Sequence, residues 1–311
     1  VSSGFAVQKR LNARYGDQIV PRLGPDRVIV DISREDVVEM LLAVAKPKKR
    51  AGRRGVAGEL RGGKYAAHHL FVYTRVFFEW AIAVGPYGIA ASPCDRVKVK
   101  TILGAKQPRQ RVLTDHELRE LWRATRRDGP LGYPFGAFIR LLLTTGQRLR
   151  ETAGARWSEF DLDNAVWTIP ATRMKGDRAH EVPLAPPVVD LLTAIPRGAG
   201  PFIFSTTDGQ RPIAGFSKMK ARLDRLLKDV EPWRPHDLRR TLRTRMGGLP
   251  VPTNVAELVI GHTQPGLHRI YDLHSYRDEK RRALTLWANA LLAMVEPPPV
   301  NVVSLTRGAQ Q

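Results

Sequence analysis

Thr145-Gly146-Gln147-Arg148-Leu149-Arg150-Glu151 stands at the end of an apolar run, Pro134 to Thr145, whose spacing predicts a buried helix that stops at Thr145-Gly146. The glycine turn places Arg148 at the start of a second helix. Glu151 follows three residues on, one turn away on the same face. Taken alone, Thr-Gly-x-Arg also reads as a loop followed by a surface arginine, so the flanking sequence has to decide.

Downstream, beyond Ala155, the hydrophobic period changes. Ala165-Val166-Trp167-Thr168-Ile169 alternates as a strand, residues 172–178 form a polar turn centred on Lys175-Gly176, and Ala179-His180-Glu181-Val182-Pro183-Leu184 returns as a second strand. Pro201 to Ser205 reads as a third short strand before Asp208-Gly209. Helices resume at about 215–230, 236–246 and 253–260, and a last one runs from about Tyr276 to Val295, stopped by Glu296-Pro297-Pro298-Pro299. In His236-Asp237-Leu238-Arg239-Arg240-Thr241 the histidine enters near a helix start after Pro235. His236 and Arg239 share a face, which sets a proton-transfer group beside a permanent cation. The same pattern also suits a basic surface helix. Leu258-Val259-Ile260-Gly261-His262 predicts a glycine-capped helix end that turns His262 inward, and Tyr271 lies nine residues beyond.

Upstream, Thr114 with Glu117 forms a capping box that opens a domain at Leu118. Before it, residues 96–111 carry Lys98, Lys100, Arg109 and Arg111 among six cations and no acid, with Gly104 and Pro108 arguing for an extended basic linker. Ser33 with Asp36 caps an earlier helix over the apolar run from Val37 to Val44. Lys46 to Lys64, containing Lys48, Lys49, Arg50, Arg53, Arg54 and Lys64 against the single acid Glu59, reads as a glycine-rich loop that either grips phosphates or is merely solvated. The helix from Tyr65 to Val84 contains His68, His69, Arg75 and Glu79, which excludes a membrane span and favours a buried amphipathic helix.

The whole chain has 311 residues, 43% of them hydrophobic, which suits two domains with sizeable cores. A net charge of +20 points to a polyanionic partner, of which nucleic acid is the commonest. Cys94 is the single cysteine, so no internal disulfide is possible; with no signal peptide in view, a cytoplasmic, nucleoid-associated protein is expected. Neither a metal-ligand spacing nor a glycine-rich GK[ST] loop is present, so no metal or other cofactor is expected.

Arg148 after Thr-Gly, Lys175 in a hairpin, His236-x-x-Arg239, Gly261-His262 and Tyr271, in that order, resemble the tyrosine recombinase (phage integrase) family over about residues 112–290. Tyr271-Asp272, Tyr276, Glu279-Lys280-Arg281 and Leu286-Trp287 resemble its P4-type prophage integrases, with Leu273-His274 where the family often has an arginine. The resemblance implies a mainly α fold with a small antiparallel β-sheet. A helical core-binding DNA clamp (1–105) and a basic linker (106–111) would precede a catalytic domain (112–295) and a flexible tail (296–311). The P4-type proteins carry a further N-terminal arm-binding domain, so a fragment beginning at Val1 is expected. A homotetramer on double-stranded DNA attachment sites is implied, the last helix packing on a neighbouring subunit, with DNA-bending proteins as possible accessories.

The chemistry fits the residue types. Transfer at a phosphodiester builds charge on the non-bridging oxygens, which Arg148 and Arg239 suit as forked donors. Tyr271 would be the nucleophile, His236 its proton acceptor, and Lys175 the donor to the leaving 5′-oxygen. His262 would bond the phosphate or place Tyr271, and Glu151 would orient a neighbour. The 3′-phosphotyrosyl link conserves bond energy, so religation needs neither ATP nor metal. Two other readings remain at this level: a type IB topoisomerase-like nicking-closing enzyme, and a non-catalytic DNA-binding protein of the same fold. Tyr276 is a second candidate nucleophile.

Overall fold

A computed structural model of the chain describes residue 23 and residues 27–49, 60–174, 178–262 and 275–297. It divides into two compact units, residues 1–109 and 110–311.

In the first unit, α1 (Arg34–Ala45) begins on the expected capping box: the Asp36 amide donates to Ser33 Oγ, and the Ser33 amide donates to the Asp36 carboxylate at 2.8 Å. Arg27 forks onto the same carboxylate at 2.7 and 2.8 Å. The long helix α2 (Lys64–Val84) lies against α1 and ends at Gly85, whose φ of +88° is the left-handed cap. Val37, Met40, Leu41 and Val44 of α1 and Ala67, Leu70 and Phe78 of α2 form the core. The stretch expected to be loop between them opens and closes on a short antiparallel ladder, β1 (Lys48–Lys49) with β2 (Leu60–Arg61). Nor is the basic stretch after α2 wholly extended: Val99–Leu103 is a helical turn, α3. Its Leu103 is buried in this core with Val99 and Ile102 packed beside it, an i, i+3, i+4 apolar set that the surrounding lysines mask. No described helix is long and apolar enough to cross a membrane.

The second unit is mainly helical around a three-stranded antiparallel sheet. Its helices are α4 (Asp115–Ala124), α5 (Phe135–Thr145), α6 (Leu149–Ala153), α7 (Pro186–Thr193), α8 (Phe216–Leu226), α9 (Pro235–Met246), α10 (Thr253–Val259) and α11 (Arg277–Val295). The sheet order is β3 (Phe160–Asp161), β4 (Val166–Ile169), β5 (His180–Pro183). The register pairs Phe160 with Trp167 and Ile169 with His180. The third strand is therefore Phe160–Asp161, not the 201–205 stretch, which makes only an isolated bridge, Arg156 to Phe202. Phe160 stacks on Trp167 at 5.0 Å and thereby secures an edge too short to be seen as a strand in sequence.

Helix α5 is apolar nearly all round, as a helix at the centre of a core must be. Phe138, Ile139, Leu141 and Leu142 are buried with Trp167, Phe204, Leu238 and Leu242. The last helix belongs to the same core: Ala283, Leu284, Trp287, Ala288, Leu291 and Val295 are buried within this chain, and the Trp287 indole donates to the Leu143 carbonyl at 3.0 Å. This face of the helix is therefore taken up by its own chain. A fully buried tryptophan contributes about 2–3 kcal/mol from its apolar area, and here it fixes the helix to α5 directly.

Gly146 ends α5 with φ +67°; a Cβ there would lie 3.1 Å from both Leu242 methyls and 3.2 Å from Ile260. Gly146→Ala should therefore lower stability by about 2 kcal/mol, measured as a lowered denaturant midpoint at unchanged slope. An unaltered midpoint would show that this turn is not held by the core.

Candidate active site

The site is assembled where three helix ends meet: the end of α5, the start of α9 and the end of α10. Arg148 occupies the N-cap of α6 with extended backbone, φ −71° and ψ 144°. Glu151, one turn on, is buried; its carboxylate accepts from the Arg148 amide at 3.2 Å and from Nη1 at 2.8 Å. One carboxylate thus holds both the backbone and the guanidinium of Arg148. The other terminal nitrogen, Nη2, lies 3.4 Å from the Gly261 carbonyl.

Arg239 rises from the first turn of α9 and is only 4% exposed. Its Nη1 donates to the Gly146 carbonyl at 2.9 Å, while Nη2 is buried with no partner among the described residues. Burial, and then the nearby Arg148, push its ionisation down to about 10. An unsatisfied buried donor costs about 1–3 kcal/mol, more when charged, so this corner suits an anion that supplies both acceptor and countercharge. His236, an exposed residue, is the second residue of the same helix, behind Pro235. Burial lowers its pKa first, and Arg239, Arg240 and Arg148 add to this against the opposing charge of Asp237.

Gly261 turns the end of α10 with φ +66°. The His262 amide donates to the Glu257 carbonyl at 3.0 Å, and its Nδ1–H donates to the Glu257 carboxylate at 2.5 Å. Arg243 Nε holds the other Glu257 oxygen at 2.7 Å. The contact leaves His262 Nε2 as the ring nitrogen that can face a ligand.

Of the residues expected from sequence, Arg148, Glu151 and the Gly261-His262 turn are linked directly by these bonds, and Arg239 joins them through the Gly146 carbonyl, two residues before Arg148. Lys175 and Tyr271 lie outside the described residues, as do Arg50, Arg53 and Arg54. Lys64, Lys98, Lys100 and Arg109 are exposed in the first unit, where Lys48 and Lys49 form β1. Arg111 is differently placed: its guanidinium pairs with buried Glu117 and meets the Val112 and Glu231 carbonyls, so it braces the start of the second unit.

Two supports escaped the sequence reading. Gln147, buried, donates through Nε2 to the Thr145 carbonyl at 2.8 Å and the Val259 carbonyl at 2.9 Å, tying α5 to α10. Arg173, just before the Lys175 turn, donates to Glu159 at 2.9 Å and to the Gly154 and Glu151 carbonyls. Position within the Thr-Gly-x-Arg stretch was the one available signal for Gln147; nothing local marks Arg173, whose partners are 14 to 22 residues away.

The sequence pattern of the phage integrase family matches residues 111–278, more than half of the chain, which therefore belongs to that family. It is 29% identical over 171 residues to prophage integrase IntS of Escherichia coli, covering 52% of this chain and 44% of that protein. It is 26% identical over 289 residues to prophage integrase IntZ of the same organism, covering 91% of this chain and 65% of that protein. The chain thus spans about half to two thirds of the length of these curated relatives. Among solved structures, a lambda integrase dimer bound to a COC′ core site aligns with a TM-score of 0.60 at 16% identity, covering 85% of this chain and 88% of that one. The Tn1549 transposon integrase in complex with circular intermediate DNA aligns with a TM-score of 0.59 at 17% identity, over 89% and 96%. These likenesses establish the tyrosine recombinase fold.

Because burial and three arginines all favour the neutral imidazole, His236 should titrate below its ordinary value of 6.5 and stay a proton acceptor at neutral pH. An NMR titration, with His236→Asn to identify the resonance, checks this. Arg240→Gln should move the midpoint upward, and a wild-type midpoint at or above 6.5 would contradict the assignment.

Proposed function

We propose that this chain performs site-specific recombination, cutting and rejoining duplex DNA at attachment sites during integration or excision of a mobile element. The observation that carries the reading is the buried Nη2 of Arg239, without a partner among the described residues, beside the Glu151-oriented Arg148, within a chain of the phage integrase family. Two forked cations around an open corner match the non-bridging oxygens of a phosphodiester.

In this reading the Tyr271 oxygen attacks phosphorus and the bond to the 5′-oxygen breaks. The phenolic proton passes to His236, and Lys175 protonates the departing 5′-oxygen. The enzyme is left on a 3′-phosphotyrosyl link, with a free 5′-hydroxyl released. Attack by a 5′-hydroxyl of the second duplex reverses each step and rejoins the strands. Arg148 and Arg239 hold the oxygens as charge builds, and His262 in its imidazolium form, with Nδ1–H on Glu257, adds a donor from Nε2–H. The roles of Lys175 and Tyr271 rest on the sequence pattern alone.

The partner is duplex DNA. The charge of +20 supports it, as do the lambda and Tn1549 integrases, which are recorded on DNA. One lambda integrase structure is a tetramer bound to a Holliday junction, which supports four copies for strand exchange here. Residues 1–105 would clamp the duplex, with Lys48, Lys49, Arg50, Arg53, Arg54, Lys64, Lys98 and Lys100 on phosphates, the basic residues about 106–111 linking this clamp to a catalytic domain at 112–295. Affinity then falls steeply with salt. Accessory bending proteins and a cytoplasmic, nucleoid-associated location belong to the same proposal.

Covalent trapping tests the reading. A suicide duplex nicked near the cleavage site should give a slow-migrating adduct on a denaturing gel with wild type and none with Tyr271→Phe, which still binds DNA. An adduct in that variant would move the nucleophile to Tyr276, and supercoil relaxation without recombinant product would favour a nicking-closing enzyme. Arg148→Lys should bind DNA yet cleave about 100-fold more slowly; wild-type cleavage by that variant would remove Arg148 from the phosphate site.

A further inference from the structure

Three stretches distant in sequence meet at one oxygen. The Val259 carbonyl lies in the last turn of α10, where helix carbonyls have no intrahelical partner. It accepts from Gln147 Nε2 at 2.9 Å and from His180 Nε2 at 3.3 Å. Gln147 precedes Arg148 in the chain, and His180 opens β5, the strand that returns from the Lys175 turn. Two residues beyond Val259 is Gly261, whose carbonyl faces Arg148 and whose successor is His262. The His180 ring is seated against that glycine: a Cβ there would come within 3.3 Å of Nε2.

His180 is 9% exposed and has no place in the phosphoryl-transfer scheme above. A leucine would fill the same space without the cost of burying an imidazole, so its distinctive contribution is the Nε2 donor. Donation to a carbonyl requires the proton on Nε2, and the surroundings keep the ring neutral. Burial, then Lys280, with further contributions from Arg239 and Arg148, lower its pKa to about 4 against a weaker pull from the Val259 carbonyl. Lys280, from α11, is itself occupied by the Glu181 carbonyl at 2.9 Å.

We propose that His180 is a positioning residue for the phosphate site: its Nε2 bond to the Val259 carbonyl and its contact with Gly261 set the turn that presents His262 and faces Arg148. The role rests on the recombinase reading for its effect on cleavage, but not for its effect on His262. A turn misplaced by about 1 Å is enough to slow chemistry about 100-fold without contact to the reacting atoms.

The test compares wild type, His180→Leu, which keeps bulk but loses the donor, and His180→Gln, whose amide nitrogen stands near the place of Nε2. Single-turnover adduct formation on the nicked suicide duplex separates rate constant from amplitude. Misfolding lowers amplitude, whereas mispositioning lowers the rate constant. His180→Leu should slow the rate constant about 10- to 100-fold at unchanged amplitude and DNA affinity, and His180→Gln should restore most of it. A substrate with sulfur at the bridging 5′ position, whose thiolate leaves without a proton, should not relieve His180→Leu. Relief would tie His180 to the Lys175 turn instead and overturn the assignment.

The second readout needs no activity. The His262 ring resonances, identified by their loss in His262→Gln, should move in His180→Leu and return in His180→Gln. If they stay in place and the rate constant is also unchanged, the proposal is wrong. If wild type itself forms no adduct, the recombinase reading fails, and the positioning of His262 is decided by these resonances alone.

Discussion

Two guanidiniums that stay charged at neutral pH are held close together, one of them almost entirely out of water, and the site depends on how that is achieved. Arg148 is neutralised by Glu151. Arg239 has no carboxylate within bonding distance among the described residues and instead leans on the Gly146 carbonyl, with burial and Arg148 both acting against its charge. Such a centre is poorly compensated until an anion arrives. The surrounding architecture reads as the scaffold for it: helix ends converge because only there are backbone carbonyls free to accept. Glycines stand at the turns because Gly146 and Gly261 both adopt positive φ within reach of packed side chains.

The burial of the site is also why its supports are made of backbone. Gln147 and His180 both donate to the Val259 carbonyl, and Arg173 reaches the Glu151 and Gly154 carbonyls. Carbonyls bring partial negative charge without adding a titratable group beside two arginines. The pairs Glu151–Arg148 and Glu257–His262 are exceptions, and in the second Arg243 shares the carboxylate. His236, proposed as the proton acceptor, has its pKa lowered by desolvation and then by the arginines.

Much of this is legible in the residues because the signals are local. The caps at Ser33 and Thr114, the stop at Gly146 and the alternation in Val166–Ile169 and His180–Pro183 all depend on neighbours a few positions away. The order of Arg148, His236-x-x-Arg239 and Gly261-His262 is equally plain. Features set by distant partners are hidden. Strand β3 has only two residues and exists because Phe160 and Asp161 meet Trp167 and Val166. Helix α3 is disguised by the lysines around its apolar face, and α7 passes unnoticed because Pro186-Pro187 resembles a loop although prolines suit a helix's first turn. The last helix is anchored in the same hidden way, since Trp287 reaches Leu143, 144 positions away, inside its own core. His180 reads as an ordinary strand residue until its partner, 79 positions on, is known.

Those long separations bear on when the protein acquires its chemistry during synthesis. The bonds joining Arg239 to Gly146, Gln147 to Val259 and Arg148 to Gly261 span 93, 112 and 113 positions. The helix that carries Trp287 closes the core only after residue 277 has been made. A nascent chain emerging from the ribosome therefore holds Arg148 and Arg239 in unconnected segments until the residues that join them have been made. The corner between Arg148 and Arg239 can therefore form only after residue 261 has been made, and in the reading proposed above the capacity to hold a phosphate arrives only then.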